Sequence, residues 1–324
     1  MKVKKEYSIL VAIMVALVLY LVLRDQERTH YRLPKLPNVT GTEISKVEIS
    51  KADTSTVLMK KDNNWYIDPK GYPADSRKIK DMLATIESLT LTALVSESKN
   101  YSRYDLSTDK KINVKAWAGN KLRREFEVGK AAPSYRHTFV KLAGDDRVYH
   151  AQGHFRGKFD QAVENLWDRT VLSFQLTEIQ EFQITKGGQS MRFARKQLHT
   201  EVTDSPKAEA EETPPPKPEI AWQSPDGKKG DESKVNRLLA ALSNLRCEKY
   251  IEDRKKGDFT DPIYTITLKG AEEYVLSVFA KPGKETKRYP AISSQSDFPF
   301  LLTDRQADKI MANPDDMLEK PEKS

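Results

Sequence analysis

The chain has 324 residues, with 54 Lys and Arg against 47 Asp and Glu and a formal net charge of +7. Its one cysteine, Cys247, cannot form an internal disulfide, so the fold must hold through its core alone. Cations and anions are interspersed after residue 24, and the densest basic run, Arg254-Lys255-Lys256, has Glu252, Asp253 and Asp258 around it, which argues against a one-sided nucleic-acid-binding face.

Residues 7–23 (YSILVAIMVALVLYLVL) carry no charge, proline or glycine. As a helix they would be roughly 25 Å long, and flanking Lys5 and Arg24 can reach the headgroups of a bilayer whose apolar core is about 30 Å. The run ends in Tyr-Leu-Val-Leu-Arg-Asp, without a small-x-small cleavage site, and no cysteine follows it, so a signal-anchor is expected rather than a cleaved signal or a lipoprotein. Lys2, Lys4 and Lys5 precede the run, while Arg24, Arg28, Arg32 and Lys35 follow it, so the charge count leaves orientation open. A short basic tail before a large polar body favours a cytoplasmic N-terminus and a periplasmic body at a bacterial inner membrane. Residues 1–24 are therefore read as tail and membrane helix, and 25–40 as an extended stalk with Pro34 and Pro37.

Alternating apolar and polar residues then predict a strand at 44–50, followed by strands near 56–60 and 65–67 that turn on Asp62-Asn63-Asn64. Pro69, Gly71 and Pro73 break this pattern. Asp75 is placed to cap a helix with Ile79, Met82, Leu83, Ile86 and Leu89 on its buried face. Strands follow at 112–117, 122–128, 138–142 and 147–150, and Phe159, Val163, Leu166 and Trp167 have helical spacing within 155–174.

The second half runs through the same order. Strands are expected at 179–185, 189–195 and 220–223, then a cap at Asp231 and a helical face of Val235, Leu238, Leu239, Leu242 and Leu245, each 156 residues after its counterpart. Trp222 stands where Trp65 stands in the first half. Strands at 264–268 and 274–279, weaker ones near Ala291 and Phe300, and a helix at 303–310 complete it. The expected fold class is α+β: an N-terminal transmembrane helix, then two tandem repeats, 41–174 and 175–312, each an antiparallel sheet with a packed helix, and a flexible tail at 313–324. Residues 197–219, rich in Pro, Glu and Thr, replace the short first-half turn and are expected to be a disordered insert.

Chemistry leaves little trace. Of the five histidines, His30, His137, His150, His154 and His199, only His150 and His154 have i,i+4 spacing, but Gly153 between them speaks against a zinc-binding helix, and both are read as surface-loop residues. Asp145-Asp146 and Asp315-Asp316 are expected in solvated turns with ordinary acidity. Trp65, Tyr66, Trp117 and Trp222 are read as core. Nucleophile-elbow, phosphate-loop and dinucleotide motifs are missing. No catalytic, cofactor-binding or metal-ligating residue is therefore nominated, and a non-enzymatic role is expected.

The tryptophan hairpin at Trp65, Pro73-Ala74-Asp75, Tyr104-Asp105-Leu106 and Asp168-Arg169-Thr170-Val171-Leu172 resemble the bacterial domain of unknown function 4340, which usually has glycine where Asp105 stands here. The resemblance extends over most of 40–310 and brings no catalytic residues with it. It implies a membrane-anchored periplasmic protein encoded beside gliding-motility-type ABC transport systems. The expected partners are accordingly the lipid bilayer and the permease and ATPase subunits of such a transporter. The alternative is a periplasmic lipid- or glycan-binding module using a cleft between the repeats.

Overall fold

A computed structural model describes residues 5–24, 31–198, 219–283 and 285–320. The chain divides into two compact units, Met1–Asp168 and Arg169–Ser324. Both combine antiparallel sheet with a few helices, the mixed α and β class expected.

Helix α1 (Lys5–Arg24) is the predicted apolar run. Its described large side chains between Tyr7 and Tyr20 are 52–62 % exposed. Among the described residues no helix is long and apolar enough to cross a membrane. The stretch from Tyr7 to Tyr20 covers only about 21 Å of helix, and the side chains of Leu21, Val22 and Leu23, which complete the predicted span, lie outside the described residues.

In the first unit, β1 (Lys46–Lys51), β2 (Thr54–Lys61), β3 (Asn64–Asp68) and β4 (Tyr72–Pro73) precede α2 (Ser76–Glu87) and β5 (Leu91–Ser96). Strands β6 (Ile112–Ala118), β7 (Lys121–Ala131), β8 (His137–Leu142) and β9 (Val148–Gln152) follow, then the four-residue α3 (Arg156–Phe159). The nine strands form one antiparallel sheet in the order β4-β3-β2-β1-β6-β7-β8-β9-β5. Because side chains alternate across a strand, Val47, Ile49, Leu58, Ile67, Val114, Phe126 and Val140 fill one face and are buried. Ile79, Met82 and Ile86 of α2 are buried as well, and Phe159 of α3 meets Phe126 edge-on at 6.1 Å. The β2–β3 turn falls at Asp62 and Asn63, both with left-handed φ (48° and 68°), as the turn chemistry predicts.

In the second unit, β10 (Thr170–Ser173), β11 (Glu181–Lys186), β12 (Gln189–Leu198) and β13 (Glu219–Gln223) precede α4 (Glu232–Leu242). After it come β14 (Asn244–Arg246), β15 (Lys249–Tyr250), β16 (Tyr264–Lys269), β17 (Glu273–Val278), β18 (Arg288–Ser293), β19 (Phe300–Thr303) and α5 (Asp304–Ile310). Eight of these strands form an antiparallel sheet in the order β13-β12-β11-β16-β17-β18-β19-β15, while β10 pairs with β14 alone.

Several expectations change. The helical spacing at 155–174 yields only α3, a single 3-10 turn at Val163–Leu166 and strand β10. Thr170–Ser173 joins the second unit because β10 pairs there with β14. The fifth apolar position of each predicted helix lies beyond it: Leu89 is buried in the connection after α2, and Leu245 sits on β14. Strand β5 was not foreseen. The insert is shorter than predicted, since Gln197 and Leu198 pair with Ile220 and Glu219; 199–218 lie outside the described residues. The tail is tied down as far as Glu319, whose N–H bonds the Lys229 carbonyl at 3.0 Å, and Met317 is only 2 % exposed. The end of the stalk is likewise fixed, with Val39 buried and Arg124 Nη2 donating to the Pro37 carbonyl at 2.5 Å.

Candidate functional site

The face of the first unit's sheet opposite its core carries a continuous array of charged and aromatic side chains. Register puts Tyr66, Met59, Lys46, Trp117 and Leu122 in one row across β3, β2, β1, β6 and β7. The Lys46 ammonium stands 4.5 Å from the Trp117 ring centre, and Leu122 is 43 % exposed. Trp65 and Trp222 are core, as expected. Tyr66 and Trp117 are not: they sit at the opposite parity from Trp65 and Ala116 and are only half-buried.

The next rows are ion-paired. Lys46 approaches Glu48 at 3.8 Å and Lys115 approaches Glu125 at 3.6 Å, while Glu127 takes Lys111 at 2.6 Å and Lys141 at 3.4 Å. Such pairs on a partly solvated face are individually weak, but they fix the charge pattern of the surface. Beyond them lie aromatic contacts between Tyr104 and Phe139 (4.9 Å), Phe139 and His150 (4.9 Å) and His137 and His150 (5.2 Å, stacked). Lys141 also lies over the Tyr101 ring at 5.7 Å, and the Tyr101 hydroxyl donates to the Asp146 carbonyl at 3.0 Å.

His150 is therefore a strand residue, not the loop residue expected. Its Nε2 is buried without a hydrogen-bond partner, and desolvation, reinforced by His137, holds its pKa below the usual histidine value. His154 lies after Gly153 and meets the Tyr135 ring instead, at 5.8 Å. Among the described residues no group of three or more His, Cys, Asp and Glu is placed to hold a metal ion.

Asp145 and Asp146 are also not the ordinary turn carboxylates expected. Asp145 accepts from Arg147 Nε (3.0 Å) and Nη2 (2.8 Å), from the Arg147 N–H (3.0 Å) and from the Tyr149 hydroxyl (2.7 Å). The Arg147 fork, chiefly, holds its carboxyl far below the usual range. Burial, and then the bond to Asp145, pushes the Tyr149 hydroxyl well above the normal phenol range. Asp146, bonded by Lys99 at 2.6 Å, is lowered too. Carboxylates held this firmly in the charged form are poor proton donors at neutral pH. What this face presents to its surroundings is rings and paired charges.

Residue 105 ends a turn that packs onto part of this face. Asp105 has left-handed φ (54°) and ends the 3-10 turn Tyr101–Tyr104, which brings Leu106 into a small cluster with Ala132, Phe139 and Val148. A glycine would take that φ without strain, and aspartate is among the few other residues that tolerate it.

A family model described as a domain of unknown function (DUF4340) matches residues 65–262, more than half of the chain. The chain belongs to the DUF4340 family. The DUF4340 match begins at the tryptophan of β3 and ends just before β16, so it takes in parts of both units. No curated protein and no solved structure matches the chain.

Proposed function

We propose that this DUF4340 protein is a single-pass inner-membrane protein whose periplasmic body is a non-enzymatic accessory or scaffold subunit of an ABC-type envelope transport complex. The observation that carries the reading is α1: every described side chain from Tyr7 to Tyr20 is exposed, and all but Ser8, Ala12 and Ala16 of that stretch are large and apolar. Such a helix is costly in water on all sides and is stable in a bilayer. Leu21, Val22 and Leu23 extend it to the length of a span. The half-exposed rings and paired charges on the first unit's sheet suit the attached body to docking.

The body is further read as a duplicated unit. Strands β1, β2, β3 and β6 through β9 pair in the order that β11, β12, β13 and β16 through β19 do in theirs. An aspartate caps the main helix of each unit.

Tagged full-length protein extracted from its native membrane in mild detergent tests the role. Stoichiometric permease and ATPase subunits in the purified material are expected. Recovery of the protein alone, under conditions that keep the transporter intact, overturns it.

A further inference from the structure

The stalk leaves the body at one end of the row Tyr66–Met59–Lys46–Trp117–Leu122. Arg124 Nη2 holds the Pro37 carbonyl at 2.5 Å, and Arg123 Nη2 donates to the Asn38 carbonyl at 3.5 Å. Both arginines belong to β7, next to the exposed Leu122 and the tight β6–β7 turn, where Gly119 has φ 56° and donates its N–H to Ser45 Oγ at 2.9 Å. The β6–β7 tip and the root of the stalk are thus one rigid corner. Between Arg24, where α1 ends, and Pro37 the chain can span at most about 45 Å. The corner cannot stray far from whatever surface holds α1.

The chemistry of the corner matches a lipid surface. Trp117 and Leu122 are apolar and at least partly open to solvent, and Lys46, Lys121 and Arg123 surround them. Two carboxylates partly offset these cations, since Glu48 lies 3.8 Å from Lys46 and Glu43 lies 3.8 Å from Arg123. Exposed Arg32 and Lys35 of the stalk add to the positive charge. An amphipathic ring beside cations is the side-chain pattern that settles at headgroup level, and each cation gains from anionic lipid within a Debye length.

We propose that this corner, the β6–β7 hairpin tip with Trp117 and Leu122, docks on anionic lipid headgroups and lays the first unit against the bilayer. The proposal rests on the membrane-anchor reading above.

Trp117 is the natural reporter, because Trp65, Trp167 and Trp222 are buried. Full-length protein is reconstituted into phosphatidylcholine vesicles with or without phosphatidylglycerol, each carrying a headgroup spin label, and tryptophan quenching is compared between the wild type and Trp117→Phe. The expected result is a Trp117 signal quenched on anionic vesicles, released by salt without any mutation, and lost in the Lys46→Gln/Lys121→Gln/Arg123→Gln variant. A Trp117 signal that is unquenched, or quenched equally without anionic lipid, overturns the proposal. If that protein still resists carbonate extraction, the anchor reading survives; extraction by carbonate overturns both.

Discussion

Asp75 donates its backbone N–H to the Leu166 carbonyl at 2.8 Å, and Asp231 donates to the Met317 carbonyl at the same distance. Each acceptor closes a one-turn 3-10 helix, and both acceptor side chains are 2 % exposed. Each aspartate also caps the helix that follows: Asp75 accepts from the N–H groups of Arg77 (3.0 Å) and Lys78 (3.4 Å), and Asp231 from that of Lys234 (3.1 Å). One residue therefore starts the main helix and pins the last segment of its unit.

Removing the cap side chain leaves the backbone bond in place and exposes the capping contribution. Asp75→Ala and Asp231→Ala should each cost about 1 kcal/mol, read as a lower denaturation midpoint, while Asp→Asn or Asp→Ser should restore most of it. The Asp231 carboxyl is held below its usual acidity range, chiefly by the Lys234 N–H. Its contribution is present above the unfolded carboxylate pKa of about 3.9 and disappears as pH falls through the folded value, so the Asp231→Ala penalty should vanish in acid.

Gly129 and Gly270 mark two close backbone approaches. A Cβ at Gly129 would lie 2.2 Å from the Tyr104 carbonyl oxygen, and one at Gly270 would lie 2.3 Å from that of Glu178. Either change to alanine should destabilise by about 2 kcal/mol or more, because the obstacle is backbone. Gly157→Ala, where a Cβ would meet nothing within 4 Å, should be close to neutral in the same thermal melts.

Arg124 holds the stalk to the body. It is 7 % exposed, and its guanidinium donates to the carbonyls of Ile86, of Glu87 at 3.2 Å and of Pro37 at 2.5 Å; desolvation lowers its pKa. Arg124→Met should cost about 3 kcal/mol, since charged donors to buried carbonyls are lost. It should also accelerate proteolytic cutting within residues 31–40. Arg124→Lys should fail to protect that stretch, because an ammonium lacks the planar fork that reaches all three carbonyls.

The stacked imidazoles set a pH dependence. His150 has a folded pKa below that of the unfolded chain, about 6.5, because desolvation and then His137 disfavour its charge. Below pH 6.5 the unfolded chain takes up a proton that the folded chain refuses, so stability falls with pH until the folded pKa is passed and is level beneath it. His150→Phe should flatten urea-denaturation midpoints between pH 7 and 5. An unchanged slope would place the sensitivity elsewhere.

The local elements were legible because their causes are local. Alternation located most strands, the Asp-Asn turn located the first hairpin, and two capping aspartates with apolar residues at helical spacing located α2 and α4. The same logic misled at 155–174, where apolar spacing reflects burial beneath the first sheet and pairing of β10 rather than a helix, and at Leu89 and Leu245, which are buried after their helices have ended. The apolar run of α1 was plain from composition.

The candidate site was almost illegible, because it depends on register. Nothing near Lys46 in the sequence announces that Trp117 will stand beside it, that Leu122 will continue the row, or that Arg124 will close over Pro37. Cross-strand alignment put Tyr66 and Trp117 on the solvent face and stacked His137 on His150. The sequence by itself determined the kinds of elements and their order, since helices and turns answer to neighbouring residues. Only the tertiary structure decided which side chains meet, because a sheet brings together residues tens of positions apart.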